Sequence, residues 1–211
     1  IPVPVAGLPG ATGSIAAGAW HTCVASSGGS VWCFGANGEG QLGDGTFTES
    51  SVPVPVSGMS SGFTSVSAAD LMSCATGPGQ ETFCWGDNGY GELGDGTTTS
   101  SPVPVMVVGG PDSAVTSIAA GTGHSCAVTN KGGLVCWGGN PDGQLGDGST
   151  TDRTLPVSVL GLPGPISNVV AGQSHSCAIT EAGGVLCWGY NGFGELGDGT
   201  YASSSIPTPV G

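Results

Sequence analysis

The sequence predicts an all-β tandem array of β-propeller-type blades, on three observations. The tetrapeptide Leu-Gly-Asp-Gly occurs at residues 42–45, 93–96, 145–148 and 196–199, at spacings of 51, 52 and 51. Cysteine pairs keep the same beat: Cys23/Cys33, Cys74/Cys84, Cys126/Cys136 and Cys177/Cys187. Between them, short apolar runs alternate with Gly- and Pro-rich punctuation, the pattern of short strands joined by turns. The 211 residues therefore read as one array, with approximate repeats 6–56, 57–105, 106–159 and 160–210 and an extra Pro-Val strand at 1–5.

The third copy shows the elements in order. Val115-Thr116-Ser117-Ile118-Ala119 alternates as a strand, and Gly121-Thr122-Gly123 interrupts it. His124 to Thr129 forms a second strand, Asn130-Lys131-Gly132 turns, and Gly133 to Gly138 returns as a third. A Gly-rich stretch leads through Leu145-Gly146-Asp147-Gly148 to Leu155-Pro156-Val157-Ser158-Val159. That last run is expected at a sheet edge, where a missing proline N–H costs no ladder bond. Three or four short strands per copy are the content of one propeller blade.

In the first copy, pairing Ser26 with Ser30 carries the ladder to Ala25/Val31, Val24/Trp32 and Cys23/Cys33. Directly opposed residues lie about 4.5–5.5 Å apart at Cα, within reach of a disulfide. Four intra-repeat disulfides are expected, Cys23–Cys33, Cys74–Cys84, Cys126–Cys136 and Cys177–Cys187, each closing a short loop for roughly 2–3 kcal/mol. The alternative is eight buried thiols acting as apolar filler. Spacing of ten residues does not match structural zinc. Disulfides place the chain in an extracellular, secreted or cell-surface setting, and an opening Ile-Pro-Val-Pro without Met fits removal of an export signal.

Composition narrows the partners. Fifteen acidic residues face one Lys and one Arg, a net charge of −13. Nucleic acid and anionic membrane surfaces are excluded, because both need basic residues to displace counterions. No segment reads as a membrane span.

The string His-Ser/Thr-Cys-Ala/Val, a Gly turn, Val-x-Cys-Trp-Gly, then Asn-Gly-x-Gly-Gln/Glu-Leu-Gly-Asp-Gly-Thr resembles the regulator of chromosome condensation repeat. The resemblance covers essentially the whole chain. It implies a β-propeller, which in that family normally has seven blades, and a role through protein contacts. Members include a nucleotide exchanger for a small GTPase and a secreted bacterial β-lactamase inhibitor. This chain departs in having four copies and an acidic, cysteine-paired composition, which speaks against a nuclear role. The second copy diverges most, with Met72 for the motif His and Ala69 for the Gly at 18, 121 and 172.

Pro2-Val3-Pro4-Val5 matches Pro53 to Val56, Pro102 to Val105, Pro156 to Val159 and Pro207-Thr208-Pro209-Val210. The Pro-Val strand thus occurs five times and the other units four times. Three arrangements follow: a closed four-bladed ring, part of a larger propeller, or ends that pair between molecules. An open or intermolecularly completed array is favoured, since a repeat shaped for seven should not close at four. The leading expectation is a non-enzymatic extracellular structural protein that self-assembles head-to-tail into a ring or filament. Pro2, Val3, Pro4, Val5, Pro207, Pro209 and Val210 would be its assembly ends. The alternative is a soluble secreted propeller that binds or inhibits another extracellular protein.

No catalytic constellation escapes the repeat pattern, so no enzyme is expected. The histidines His21, His124 and His175 recur once per copy and are expected to hydrogen-bond a neighbouring loop rather than a metal. No cofactor is expected. Calcium is considered at Asp87, Glu92 and Asp95, but the order of a calcium hand is missing. Asp44, Asp95, Asp147 and Asp198 are instead expected to accept backbone N–H bonds in tight turns. Trp85, Trp137 and Trp188 recur, with Phe34 in the first copy, and are expected in the core. Aromatic residues at variable loop tips, Phe47, Tyr90, Phe193 and Tyr201, are the candidate partner-binding residues; the competing expectation is that they cover neighbouring loops. Ser/Thr runs at 97–101 and 203–205 suit O-linked sugars on composition alone.

Overall fold

The computed structural model describes residues 1, 3–109 and 114–211. Within these residues sixteen strands form four separate four-stranded antiparallel sheets, each made from consecutive strands. Blade 1 holds β1 (Thr12–Ala17), β2 (His21–Ser26), β3 (Val31–Gly35) and β4 (Ser50–Pro55). Blade 2 holds β5 (Ser65–Ala68), β6 (Met72–Thr76), β7 (Thr82–Gly86) and β8 (Ser101–Met106). Blade 3 holds β9 (Val115–Ala120), β10 (His124–Thr129), β11 (Leu134–Gly138) and β12 (Arg153–Ser158). Blade 4 holds β13 (Ile166–Ala171), β14 (His175–Thr180), β15 (Val185–Gly189) and β16 (Ser204–Pro209).

β1, β5, β9 and β13 pack side by side, which makes them the inner strands of the array. Among the described residues, no comparable packing joins β13 back to β1. The array is an open arc. The proline-bearing strands β4, β8, β12 and β16 lie at the outer edges, each paired on one side only, where their missing N–H groups cost nothing.

In all four central hairpins the two cysteines face each other across the ladder. All four disulfides are formed, with Cα separations of 4.1–4.2 Å, a little closer than the range expected for opposed residues. No cysteine is free.

Three apolar clusters fill the spaces between adjacent blades, and each buried tryptophan belongs to one of them. Trp85 packs with blade 1 residues such as Leu42 and Val56, Trp137 with Leu93, and Trp188 with Leu145 and Val159. The Leu of each of the first three Leu-Gly-Asp-Gly turns thus shares a cluster with the tryptophan of the following blade.

Among the described residues of the extra strand expected at 1–5, no strand is present. Pro2 lies outside the described residues, and Val3, Pro4 and Val5 pair with no strand. Val3 is 82% exposed and Val5 50%. The reason is position. Every other Pro-Val run follows the third strand of its own blade and adds to that edge, whereas residues 3–5 precede β1, and no third-strand edge lies beside them among the described residues. At the other end Pro207 and Pro209 lie within β16, and the Val210 N–H donates to the Val185 carbonyl at 3.1 Å.

Candidate functional site

Antiparallel order puts two sets of loops at one end of the array. These are the loops joining the first and second strands and those joining the third and fourth strands of each blade. They form one loop face, and its scaffold repeats. Asn37, Asn88, Asn140 and Asn191 are fully buried, and each accepts the N–H of the turn leucine through Oδ1 at 2.9 Å. Their Nδ2 groups donate to backbone carbonyls further along the loop, as Asn37 does to Thr46 and Thr48 at 3.0 Å. The turn aspartates accept the N–H two residues on, at 2.8–2.9 Å, in all four copies. The Thr200 N–H and hydroxyl hold the Asp198 carboxyl below its usual range. Burial pushes Asp147 up, but Ser149 and Arg153, whose guanidinium lies 2.9 Å away, outweigh it and leave the carboxyl lowered. Leu-Gly-Asp-Gly is therefore a structural turn.

A directional joint links each blade to the next. Trp85 Nε1 and the Ser73 hydroxyl donate to the Gln41 carbonyl at 2.9 and 3.0 Å. Trp137 and Ser125 donate to the Glu92 carbonyl at 2.8 and 3.1 Å. Trp188 and Ser176 donate to that of Gln144 at 2.8 and 2.9 Å. The histidines reach forward: His21 Nε2 meets Ser73 Oγ at 2.7 Å and His124 Nε2 meets Ser176 Oγ at 2.9 Å. These pairs look like Ser–His dyads but have the opposite polarity. The serine proton is committed to a carbonyl, so the imidazole N–H donates to the serine and no general base faces a nucleophile. Burial brings His21 down to about 4, against the raising influence of Asp70. Burial, with His175 nearby, brings His124 to about 4. Both are neutral under ordinary conditions.

The divergence of blade 2 has a steric explanation. A Cβ at Gly18, Gly121 or Gly172 would lie 2.4–2.7 Å from Cε1 of His21, His124 or His175. Glycine is needed where the imidazole lies against the backbone. Met72 replaces the imidazole in blade 2, and Ala69 is accommodated there; the Ser125 hydroxyl lies 3.6 Å from the Met72 sulfur.

Gln41, Glu92, Gln144 and Glu195 each accept, through the side chain, the N–H two residues earlier. Glu92 is 1% exposed, and its Oε1 has no hydrogen-bond partner among the described residues. Burial raises its pKa to about 7; its own N–H and that of Tyr90 oppose the rise, and Asp87 and Asp152 add to it. Among the described residues no group of three or more His, Cys, Asp or Glu is arranged to hold a metal. The carboxylates considered for calcium are committed to turns, Glu92 to the Tyr90 N–H and Asp95 to Thr97.

Two adjoining crevices open on the loop face over blades 2–4. The first, about 330 Å³, is lined by Asp70, Asp87 and Tyr90, with small residues of blade 3 opposite. The second, about 390 Å³, is lined by Asp142, Tyr190, Phe193 and Glu195. They share Gln173 and Ser174. Tyr90 is 57% exposed, with its inner side against Gly123 and Gly139 of the next blade. Phe193 is 85% exposed and meets Tyr190 edge-on at 6.2 Å. Of the four expected contact aromatics, Tyr90 and Phe193 line this pair of crevices. Phe47 and Tyr201 are exposed but line neither. Sequence reasoning missed Tyr190, whose signal was available: the residue after Trp-Gly or Phe-Gly varies as Ala36, Asp87, Gly139 and Tyr190. It also left Trp20 unassigned, and that ring is 70% exposed in the β1–β2 loop.

Comparison with known proteins agrees with this geometry. The regulator of chromosome condensation (RCC1) repeat profile matches residues 28–76, 81–128 and 131–179. A second profile of the same description matches 14–41, 115–144 and 166–195. The chain is similar to the ultraviolet-B receptor UVR8 of Arabidopsis thaliana, 34% identical over 93% of this chain and 45% of that protein. In fold it is similar to human WBSCR16, with a TM-score of 0.88 at 24% identity over 97% of this chain and 54% of that one. It is also similar to yeast RCC1 (Prp20), solved bound to Kap60, with a TM-score of 0.81 at 20% identity over 93% and 48%. The chain spans about half the length of each of these three. It belongs to the regulator of chromosome condensation repeat family, as an open four-blade array with a disulfide in every blade.

Proposed function

We propose that this chain is a non-catalytic extracellular recognition module that captures a partner protein on its loop face. One observation carries the reading: Tyr90, Tyr190 and Phe193 stand exposed or half-exposed around two adjoining crevices, on loops whose backbones are fixed by buried asparagines. Rigid aromatic anchors on a pre-ordered scaffold are the usual makings of a binding hot spot. The Ser–His pairs, with their proton direction reversed, support a role without catalysis. Four disulfides and no free cysteine support an oxidising compartment. Among the described residues no helix is long and apolar enough to cross a membrane. The relative Prp20, solved with Kap60, supports protein contacts as the kind of work this fold does.

The test is selection of peptides from a displayed library on immobilised protein. Binders should lose affinity for a Tyr90→Ala/Phe193→Ala variant that keeps its thermal midpoint. Binders indifferent to both changes would sink the reading.

A second reading, head-to-tail assembly, is favoured by a separate observation. The Glu195 carbonyl and the Gly199 N–H occupy the joint positions that Gln144 and Gly148 use toward blade 4, and neither has a partner among the described residues. A Cβ at Gly197 would meet only Val210, where the matching glycines meet a tryptophan. Blade 1 of another copy would bring Thr22 and Phe34 to that socket. Sedimentation of this 211-residue chain across a wide concentration range tests it, and a monomer at every concentration rules it out.

A further inference from the structure

We infer that the paired crevices over blades 2–4 recognise an arginine-rich segment of the partner protein. This deepens the recognition proposal and rests on it. Four carboxylates border the crevices: Asp70 and Asp87 on the first, Asp142 and Glu195 on the second. No Lys or Arg lines either one. The two basic residues of the chain are engaged or distant. Arg153 lies 2.9 Å from Asp147, and Lys131 lies in the β10–β11 turn at the opposite end of the array. Among the described residues the carboxylates of Asp70 and Asp142 make no hydrogen bond, which leaves them to accept from a ligand.

The aromatic rings decide the cation. Tyr90 and Phe193 offer open ring faces beside these acids. A guanidinium stacks on a ring face while its edge N–H groups reach a carboxylate. An ammonium can do only one of the two well. The crevices adjoin through Gln173 and Ser174, which suits an extended segment with basic side chains in both. A net charge of −13 draws such a segment in from solution.

The probe is a fluorescein-labelled peptide of alternating Arg and Gly, ten residues long by design (about 30 Å extended), titrated by anisotropy in low salt. A Lys/Gly peptide of equal charge is the comparison. We expect saturable binding that weakens with added salt, and Arg preferred over Lys. Asp70→Asn/Asp142→Asn and Tyr90→Ala/Phe193→Ala should each weaken binding about tenfold. Glu81→Gln/Glu181→Gln, the same charge change on turns at the opposite end, should change it less than about twofold. Equal losses in both charge-matched variants would mean diffuse attraction and would overturn the proposal. So would equal affinity for the Arg and Lys peptides, or no saturable binding. If library-selected binders still depend on Tyr90 and Phe193 while the Arg peptide fails, recognition stands and the cationic class falls.

Discussion

Glu92→Gln should remove a pH dependence that the folded protein carries near neutrality. Glu92 is buried, and its carboxyl titrates at about 7 rather than at the model-peptide value of 4.5. The sign follows from proton counting. Between these two values the folded chain holds a proton that the unfolded chain has released, so stability falls as pH rises through the window. The change corresponds to about 3 kcal/mol in total, lost progressively between about pH 4.5 and 7. Glutamine already occupies the same position as Gln41 and Gln144, where its oxygen accepts the same backbone N–H. The substitution therefore keeps the loop bond and removes the ionisation. The assay is denaturant unfolding of both proteins, disulfides intact, from pH 4 to 9. The difference should be near zero at the acid end and approach about 3 kcal/mol above pH 7, equivalent to roughly 6–12 °C in Tm for a chain of this size. A difference that is flat with pH would refute the argument, because a purely steric or packing effect does not titrate.

Acid should act through the histidines. His124 has its pKa lowered from 6.5 to about 4, so the stability it contributes is full above about 6.5 and is lost as pH falls toward 4. His124→Gln should flatten that acid limb in the same unfolding experiment. Trp137→Phe should cost about 1 kcal/mol by removing one donor from the Glu92 carbonyl, with the Ser125 hydroxyl still in place. Phe34 holds the equivalent ladder position in blade 1, opposite Thr22. Thiol titration of denatured, unreduced protein should find no free thiol. Cys74→Ser/Cys84→Ser should lower stability by roughly 2–3 kcal/mol.

The parts of this architecture that lie within one copy were readable from the repeat. The Cys23/Cys33 register, the edge placement of Pro102 and Pro104, and the turn role of Asp95 each depend on residues a few positions apart, and local geometry constrains them. The joints were less readable. The repeat shows that every copy has a carbonyl at Gln41 and most have a tryptophan, but not that the indole of one copy reaches the carbonyl of the copy before it. That pairing spans about one full repeat and is set by how blades stack. His21 was expected to meet a neighbouring loop and instead meets a serine in the β6 strand of the next blade. Burial of Glu92 was hidden for a related reason: a Glu/Gln alternation looks like a tolerant surface position until the covering blade is in place. Residues 3–5 show the converse. They carry the right pattern for a strand, but a strand also needs an open edge beside it.

The one-way joint has a consequence for how such a chain can grow. Copies 2 and 3 each present the joint carbonyl and a glycine N–H toward the following blade, and a Trp–Ser donor pair toward the preceding one. A whole copy duplicated in place therefore arrives with both halves of a new joint and leaves the existing ones matched. An insertion of half a copy would leave a joint without its matching half. The array can lengthen in steps of about 51 residues and in no smaller unit, so the hydrogen-bond polarity at Gln41, Glu92 and Gln144 sets the quantum in which this sequence can be edited.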